Sequence, residues 1–342
     1  MTIKKLLTSF LVLAAMYLPA HASDSISSLK KYLPEIHTTL RARYELSTAD
    51  GTGRFQVRNA RVNLKGNVSD HLGYFMRVDF CDRGSIRLQD AYGIFSPTSK
   101  WKIMLGQMRV PLSVDASRAV NTYWFSNRSL ANRDQWTSRK VGLKGRYSFN
   151  IAKAPAFVEG GVFSSASTTA QTTWSKDYTY GIIGAVTLGD FMPEIGFQSN
   201  MLGATRCNLW NASLTWIHGP WEAETEFLYK VYTNKAANDT KAFNLMGRRF
   251  FPLRSPYANR LSLDLRFDYS SDNCDGQRGD DGRLLVTFTA RKRITAGTTI
   301  AYLKGPLKAH LRLNYEQYFH SEDHVYSPAY GNKLCVELML HF

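Results

Sequence analysis

Apolar and polar side chains alternate with a period of two over long stretches of this sequence. From Lys140 to Phe149, the residues Val141, Leu143, Gly145, Tyr147 and Phe149 interleave with Lys140, Gly142, Lys144, Arg146 and Ser148. Trp221, Ala223, Thr225, Phe227, Tyr229 and Val231 interleave with Glu222, Glu224, Glu226 and Lys230. The same holds for Leu261 to Tyr269 against Ser262, Asp264, Arg266, Asp268 and Ser270, and for Ala309 to Tyr315 against Lys308, His310, Arg312, Asn314 and Glu316. Successive side chains of a strand point to opposite faces, so each stretch predicts a strand with one apolar and one charged face.

A soluble β-sandwich also alternates. Three features favour a membrane barrel instead. The runs are about nine to eleven residues long, the length a tilted strand needs to cross a bilayer. The polar face carries full charges at consecutive positions, as a water-filled lumen would. Aromatic residues gather near run ends (Trp101, Tyr147, Phe149, Trp221, Tyr229, Tyr315, Tyr318), as in interfacial girdles. Candidate strands fall near 36–48, 54–68, 72–82, 86–96, 100–110, 138–150, 155–164, 178–189, 193–202, 206–218, 220–232, 241–250, 259–271, 283–303, 307–319 and 332–342. The predicted fold is therefore all-β, a transmembrane antiparallel β-barrel of about 16 strands, a size that leaves an aqueous channel. The apolar phase switches near Asn59, which predicts a β-bulge. The last segment alternates perfectly up to the terminal Phe342, resembling the C-terminal signature by which outer-membrane barrels are recognised for assembly.

The chain start fits export. Lys4 and Lys5 precede an apolar run from Leu6 to Leu18, and Ala20-His21-Ala22 offers a small-x-small cleavage site. We therefore expect residues 1–22 to be a cleaved signal peptide and 23–342 a single barrel domain. Beyond Ala22 no run of about 18 apolar residues occurs, so no membrane-spanning helix is expected. The net charge is +15, and +13 without Lys4 and Lys5. Residues 24–150 carry 21 Lys/Arg against 10 Asp/Glu. Such a balance points to anionic partners, and an exported chain excludes nucleic acid as the expected one. Cys81, Cys207, Cys274 and Cys335 show no metal-like spacing and read as free thiols. The His320-x-x-x-His324 spacing falls in a loop with Glu322 and Asp323 and is a weak metal signal. No histidine sits in a local triad signature. No catalytic residue, metal or cofactor is expected.

Several motifs occur together in the first half. Lys31-Tyr32-Leu33-Pro34-Glu35-Ile36-His37 precedes Arg54-Phe55-Gln56-Val57-Arg58-Asn59-Ala60-Arg61-Val62-Asn63-Leu64-Lys65-Gly66. Leu88-Gln89-Asp90-Ala91-Tyr92 and Leu105-Gly106-Gln107-Met108-Arg109-Val110-Pro111 follow. In this combination the chain resembles the phosphate-selective porin O and P family, in the form found in Bacteroidetes. The detailed resemblance covers about residues 31 to 150, with Leu311-Arg312-Leu313-Asn314-Tyr315-Glu316 as a further point. It implies a 16-stranded barrel in the outer-membrane lipid, a homotrimer, loops folded into the pore, and preference for small anionic solutes such as phosphate or polyphosphate. The family's pore arginine ladder has no residue-by-residue counterpart here.

Candidate pore residues follow from charge and phase. The segment from Pro111 to Trp136 lacks alternation and is too long for an ordinary turn. We expect it to fold inward as a constriction loop, with Tyr123, Trp124 and Phe125 against the wall and Arg118, Arg128 and Arg133 facing the solute. Arginine suits this role because its planar fork pairs bidentately with phosphate or carboxylate. Arg58, Arg61, Lys65, Arg77, Arg87, Lys140, Lys144 and Arg146 are the expected lumen cations, and Glu222, Glu224 and Glu226 make the facing wall locally acidic. The competing readings are a plugged structural or adhesive barrel and an outer-membrane hydrolase.

Overall fold

The computed structural model describes residues 33–82, 84–134, 139–280, 282–321 and 328–342. The leader segment 1–22, Lys31, Tyr32, Trp136 and His324 lie outside the described residues. Sixteen strands form one closed antiparallel barrel in which each strand pairs with its sequence neighbours. They are β1 (Glu35–Ser47), β2 (Gly53–Asn67), β3 (Leu72–Asp82), β4 (Ser85–Thr98), β5 (Trp101–Arg109) and β6 (Arg139–Ile151). Then follow β7 (Ala154–Ser164), β8 (Tyr178–Val186), β9 (Phe191–Leu202), β10 (Thr205–His218) and β11 (Trp221–Tyr232). The last five are β12 (Thr240–Pro252), β13 (Arg260–Ser270), β14 (Arg291–Tyr302), β15 (Lys308–His320) and β16 (Lys333–His341). The seam is an antiparallel β1–β16 ladder from Thr39 opposite His341 to Ser47 opposite Lys333.

The expected strands all appear, with one correction. The run read as 283–303 begins only at Arg291. Residues 271–290 form a long connection held by isolated bridges, Asn273 to Phe288 and Arg278 to Leu284. Its apolar Leu284, Leu285, Val286 and Phe288 mimic a strand's composition without joining the wall. The phase switch near Asn59 is a bulge. Arg41 faces Asn59 while Ala42 faces Val57, so Arg58 is the extra residue. A one-residue offset exchanges the two faces of a strand. Arg54 and Gln56 lie opposite Glu45 and Arg43 on one side of the bulge, and Asn59 and Arg61 lie opposite Arg41 and Thr39 on the other.

Burial is inverted relative to a soluble protein. Glu337 is 0% exposed and its neighbour Leu338 45%. Asp268, Arg293 and Glu316 are fully buried, whereas Leu263, Leu265 and Leu311 are exposed. The apolar face thus turns outward all around, and the charged face lines the interior. No helix among the described residues is long and apolar enough to cross a membrane. The barrel spans with strands, which is one of the two ways to satisfy every backbone group in lipid.

Aromatic side chains band the outer face near the strand ends. Trp101 packs on Tyr147 at 4.7 Å between ring centres, and Tyr147 stacks on Phe149 at 5.5 Å. Tyr318 departs from the expected band. It faces the interior, 5% exposed, where its hydroxyl donates to Glu316 (3.2 Å) and accepts from Arg293 (3.2 Å). The connections at the end holding Glu35 and Phe342 are short, such as 99–100, 152–153 and 219–220. Longer ones, including 110–138, 165–177 and 271–290, lie at the other end. Single-chain outer-membrane barrels place short turns toward the periplasm and long loops outside.

Replacing Leu265, mid-β13 on the outer face, by arginine is expected to cost about 2–4 kcal/mol, because charge at the bilayer midplane is expensive. Urea unfolding of the protein refolded into vesicles measures this. An unchanged midpoint would mean the outer face does not meet lipid.

Candidate functional site

The segment between β5 and β6 makes its polar contacts with inward-facing wall residues. It enters across β8 and β9, where two glycines leave room for its backbone. A Cβ at Gly181 would lie 2.7 Å from the Pro111 carbonyl oxygen, and one at Gly196 would collide with that of Leu112. A short helix α1 (Val114–Ser117) follows, with Ser113 Oγ accepting from the Ala116 N–H at 3.1 Å. After a single 3₁₀ turn at Val120–Thr122, the chain bends through Trp124 to Asn127 on its way to a second short helix, α2 (Leu130–Asp134).

Between the helices the backbone has few partners of its own, and wall arginines supply them. Arg312 donates to the Tyr123 carbonyl at 2.6 Å and Arg41 to the Ser126 carbonyl at 2.7 Å. Arg266 donates to the Asn127 carbonyl at 3.0 Å and Arg293 to the Arg128 carbonyl at 2.6 Å. The amides are held in the same way. Asn314 Oδ1 accepts from the Ser126 N–H at 2.8 Å, and Asp268 accepts from the Leu130 N–H at 3.2 Å. Irregular backbone inside a protein requires such partners for nearly every group. These carbonyl and amide anchors come from β1, β13, β14 and β15, one side of the barrel, while Glu224 and Glu226 on β11 and Arg109 at the end of β5 hold the loop from elsewhere.

The loop cations expected to face a passing solute each have partners within the protein. Arg118 ion-pairs with Glu224 on β11, and its guanidinium lies over the Trp124 ring at 5.6 Å. Arg128 donates to the Tyr123 hydroxyl at 2.5 Å and covers the same ring. Arg133 donates to the Ala329 carbonyl at 3.2 Å and stacks on Tyr330 at 3.9 Å. Tyr123, Trp124 and Phe125 are buried. Each loop cation therefore ties the loop to itself or to a neighbour. The acids of β11 are partners in this. Glu222 accepts from Arg248 at 2.5 Å, and Glu226 accepts from Asn132 on α2 at 3.0 Å.

Asp115 is the loop's own electrostatic centre. Burial raises its pKa, but Arg118 and Arg128 pull it down further, so the carboxyl lies below its ordinary value of 3.8. It accepts from the Ser129 hydroxyl at 2.8 Å and joins the two helical turns. Burial also raises the Tyr123 pKa, and Arg128 and Arg109 outweigh that, leaving the phenol below its usual range.

The predicted wall cations lie across from this anchored side. Arg61 pairs with Asp79 at 2.7 Å and Lys65 with Glu35 at 3.2 Å. Arg77 pairs with Asp90 at 2.9 Å and lies over Phe75 at 5.0 Å. Lys144 and Arg146 share Glu159 at 2.9 and 3.6 Å, and Arg146 lies over Phe157 at 3.7 Å. Lys140 donates to the carbonyls of Ser165 and Ala166 in the β7–β8 loop. Arg58 occupies the β2 bulge and Arg87 lies exposed on β4 opposite Asp79.

Sequence reasoning missed the arginines that hold the loop. Arg41, Arg43, Arg266, Arg293 and Arg312 all sit on the polar phase of alternating strands, a signal that marks an inward face without naming the partner. It also missed a second inward cluster, Met104, Met108, Val110 and Phe163 with Tyr92 and Ile94, which is apolar. All four cysteines are free thiols. Among the described residues no group of three or more His, Cys, Asp or Glu is placed to hold a metal ion.

A closed barrel with an apolar outer band, a charged interior and a loop docked on the inner wall is the architecture of an outer-membrane porin. Residues 40–187 match the family model described as phosphate-selective porin O and P, so the resemblance read from the second, fourth and fifth strands holds across that stretch. Solved structures agree on the fold. An anion-selective porin from Comamonas acidovorans superposes with a TM-score of 0.62 at 14% identity, covering 90% of this chain and 98% of that one. Salmonella typhi OmpF in complex with daunomycin gives 0.63 at 13% identity, over 91% and 98%. The outer membrane channel DcaP of Acinetobacter baumannii gives 0.57 at 15% identity, over 90% and 97%. The comparison with curated proteins finds no match.

Gly196→Val is expected to push Leu112 off the wall at an overpacking cost of about 1–3 kcal/mol, and to raise single-channel conductance while the barrel still refolds. A conductance equal to the parent's would show that the loop does not set the pore width. Asp115→Asn is expected to loosen the loop by about 1–3 kcal/mol through loss of a charged hydrogen-bond acceptor. Because the native carboxyl pKa is lowered, its contribution is complete above the ordinary value and disappears as pH falls below about 4. Open-channel current noise should rise in the parent below that pH, and be high at every pH in the variant.

Proposed function

We propose that the protein is a water-filled, anion-preferring diffusion channel for small solutes in the outer membrane. The observation that carries this reading is a repeated motif on the inner wall, one carboxylate bridging two cations. Glu337 lies at 2.6 Å from Arg41 and 2.8 Å from Arg312. Asp268 bridges Arg266 and Arg293, and Glu316 bridges Arg293 and Lys333. Asp90 bridges Arg77 and Arg139, Glu159 bridges Lys144 and Arg146, and Glu45 bridges Arg43 and Arg54. A carboxylate between two guanidinium or ammonium groups leaves net positive charge on the inner wall, buried under the loop around Glu337, Asp268 and Glu316 and nearer the water around Asp90 and Glu159. A low-dielectric wall around an aqueous bore concentrates that field. Glu194, Glu224 and Glu226 on β9 and β11 oppose it locally, and Arg118 cancels part of their effect.

The passage runs between the docked loop and the wall of β2 to β7, where Arg61, Arg77, Lys144 and Arg146 replace the expected loop arginines as the groups nearest a solute. Rings of basic side chains favour anions in pores. The family's description makes phosphate the first solute to test, with polyphosphate next. The trimeric state of a Vibrio cholerae outer membrane protein with the same fold (TM-score 0.57, 11% identity) supports a homotrimer here. The mature domain is residues 23–342, released by cleavage after Ala22, and the short-turn end faces the periplasm.

In a planar bilayer under a potassium chloride gradient, the reversal potential should have the sign of chloride preference. Arg77→Gln and Arg146→Gln should each shift it toward zero, and Glu159→Gln should shift it the other way. A cation-selective reversal potential, or no conductance at all, would overturn the reading.

A further inference from the structure

The short-turn half of the lumen contains a cavity of about 390 Å³ that the porin reading does not itself explain. It lies on the β12 to β16 side, beneath the docked loop, and no carboxylate is among the residues that line it. Its cations are Arg248, Arg260, Lys308 and Arg312. Arg248 and Arg312 are backed by Glu222 and Glu337. Among the described residues neither Arg260 nor Lys308 is in an ion pair.

The aromatic content of the same cavity is arranged rather than scattered. The Arg248 guanidinium lies between the rings of Trp124, at 4.2 Å, and Phe250, at 4.6 Å. Arg260 lies over Phe250 at 4.2 Å. Ring, guanidinium, ring and guanidinium thus follow one another, from the loop down to the first residue of β13. The stack stops at Arg260, on which no second ring is placed among the described residues. Guanidinium planes stack readily on aromatic faces and keep their edge N–H groups for an anion. A series of ring and guanidinium contacts that ends on Arg260, in a cavity whose lining carries no carboxylate although Glu222 and Asp264 act on Arg260 from behind it, is suited to a group that is both flat and negatively charged.

We infer that this cavity binds small planar organic anions, with an aromatic carboxylate as the simplest member. The ligand ring continues the stack beyond Arg260, and its carboxylate accepts hydrogen bonds from Lys308 and the free edges of the arginines. An inorganic anion uses the charge but not the stack. The volume falls in the range of small organic ligand sites, about 300–1,000 Å³. This inference rests on the anion-preferring reading for how the ligand reaches the cavity, but not for its binding there.

The test uses the full mature chain refolded in detergent, with benzoate, cyclohexanecarboxylate, acetate and inorganic phosphate as probes. Saturation-transfer NMR reports binding, and current block in planar bilayers reports occupancy. Benzoate should bind at a concentration about ten-fold lower than acetate or phosphate. Arg260→Lys keeps the charge and removes the plane, so it should bring benzoate close to acetate while leaving chloride preference unchanged. Phe250→Leu should weaken benzoate several-fold and leave phosphate unaffected. Equal binding of benzoate and acetate, equal binding of benzoate and cyclohexanecarboxylate, or an Arg260→Lys protein that retains the benzoate advantage would each overturn the inference. A cation-selective pore that still binds benzoate would instead refute the proposed transport function and leave this site standing.

Discussion

A backbone amide or carbonyl without a partner inside a bilayer costs several kcal/mol, and this constraint decides the architecture. A sheet satisfies it only by closing on itself. The β1–β16 ladder is where closure happens, and the seam also brings together groups that nothing else unites. Arg41 from the first strand meets Glu337 from the last, 296 residues away. Glu337 in turn holds Arg312 on β15. The link that joins Arg41 to the buried ion lattice of the inner wall is therefore a product of closure, whereas the lattice's other pairs join neighbouring strands. Its members could not remain charged without one another, since an isolated buried charge is far too costly.

That lattice does a second task. Each of its arginines has more donors than one carboxylate can use, and the surplus holds the loop. Arg41, Arg266, Arg293 and Arg312 each pair with an acid on the wall and donate to a loop carbonyl. The loop's position is thus fixed by polar contacts together with two apolar ones, Trp124 and Phe125 against Met246 and Leu112 and Ala131 in the cluster with Cys207, Leu209 and Leu228. The wall gains cover for charges that would otherwise face the bore. The result is a lumen in which loop and wall are locked together on the side of β1 and β13 to β15.

The strands and their facing were legible in the sequence because lipid and water impose a two-residue period that local order preserves. Even the bulge at Arg58 showed as a change of phase. The β13–β14 connection was misread because it carries a run of apolar residues of which Leu284 packs into a buried cluster and Phe288 against Tyr330 while Leu285 and Val286 are exposed, and composition does not distinguish that from lipid contact. The length and aromatic content of the 111–136 segment marked it as unusual. The roles of Arg118, Arg128 and Arg133 were not legible, because Glu224 lies 106 residues from Arg118 and reaches it only through the barrel's curvature. Gly181 and Gly196 carry no distinguishing signal in the sequence, although they are the positions where another stretch of backbone passes.

The distribution of the loop's anchors has a consequence for biogenesis. Residues 123–130 belong to the first half of the chain, yet they are held by Asp268, Arg293, Arg312 and Asn314 from the last third and by Arg41 across the seam. Contacts so distant in sequence form late, since the intervening chain must first be ordered. The docked segment therefore cannot complete its contacts while strands are still being added; its full set of anchors exists only once the final hairpin has zipped to the first strand.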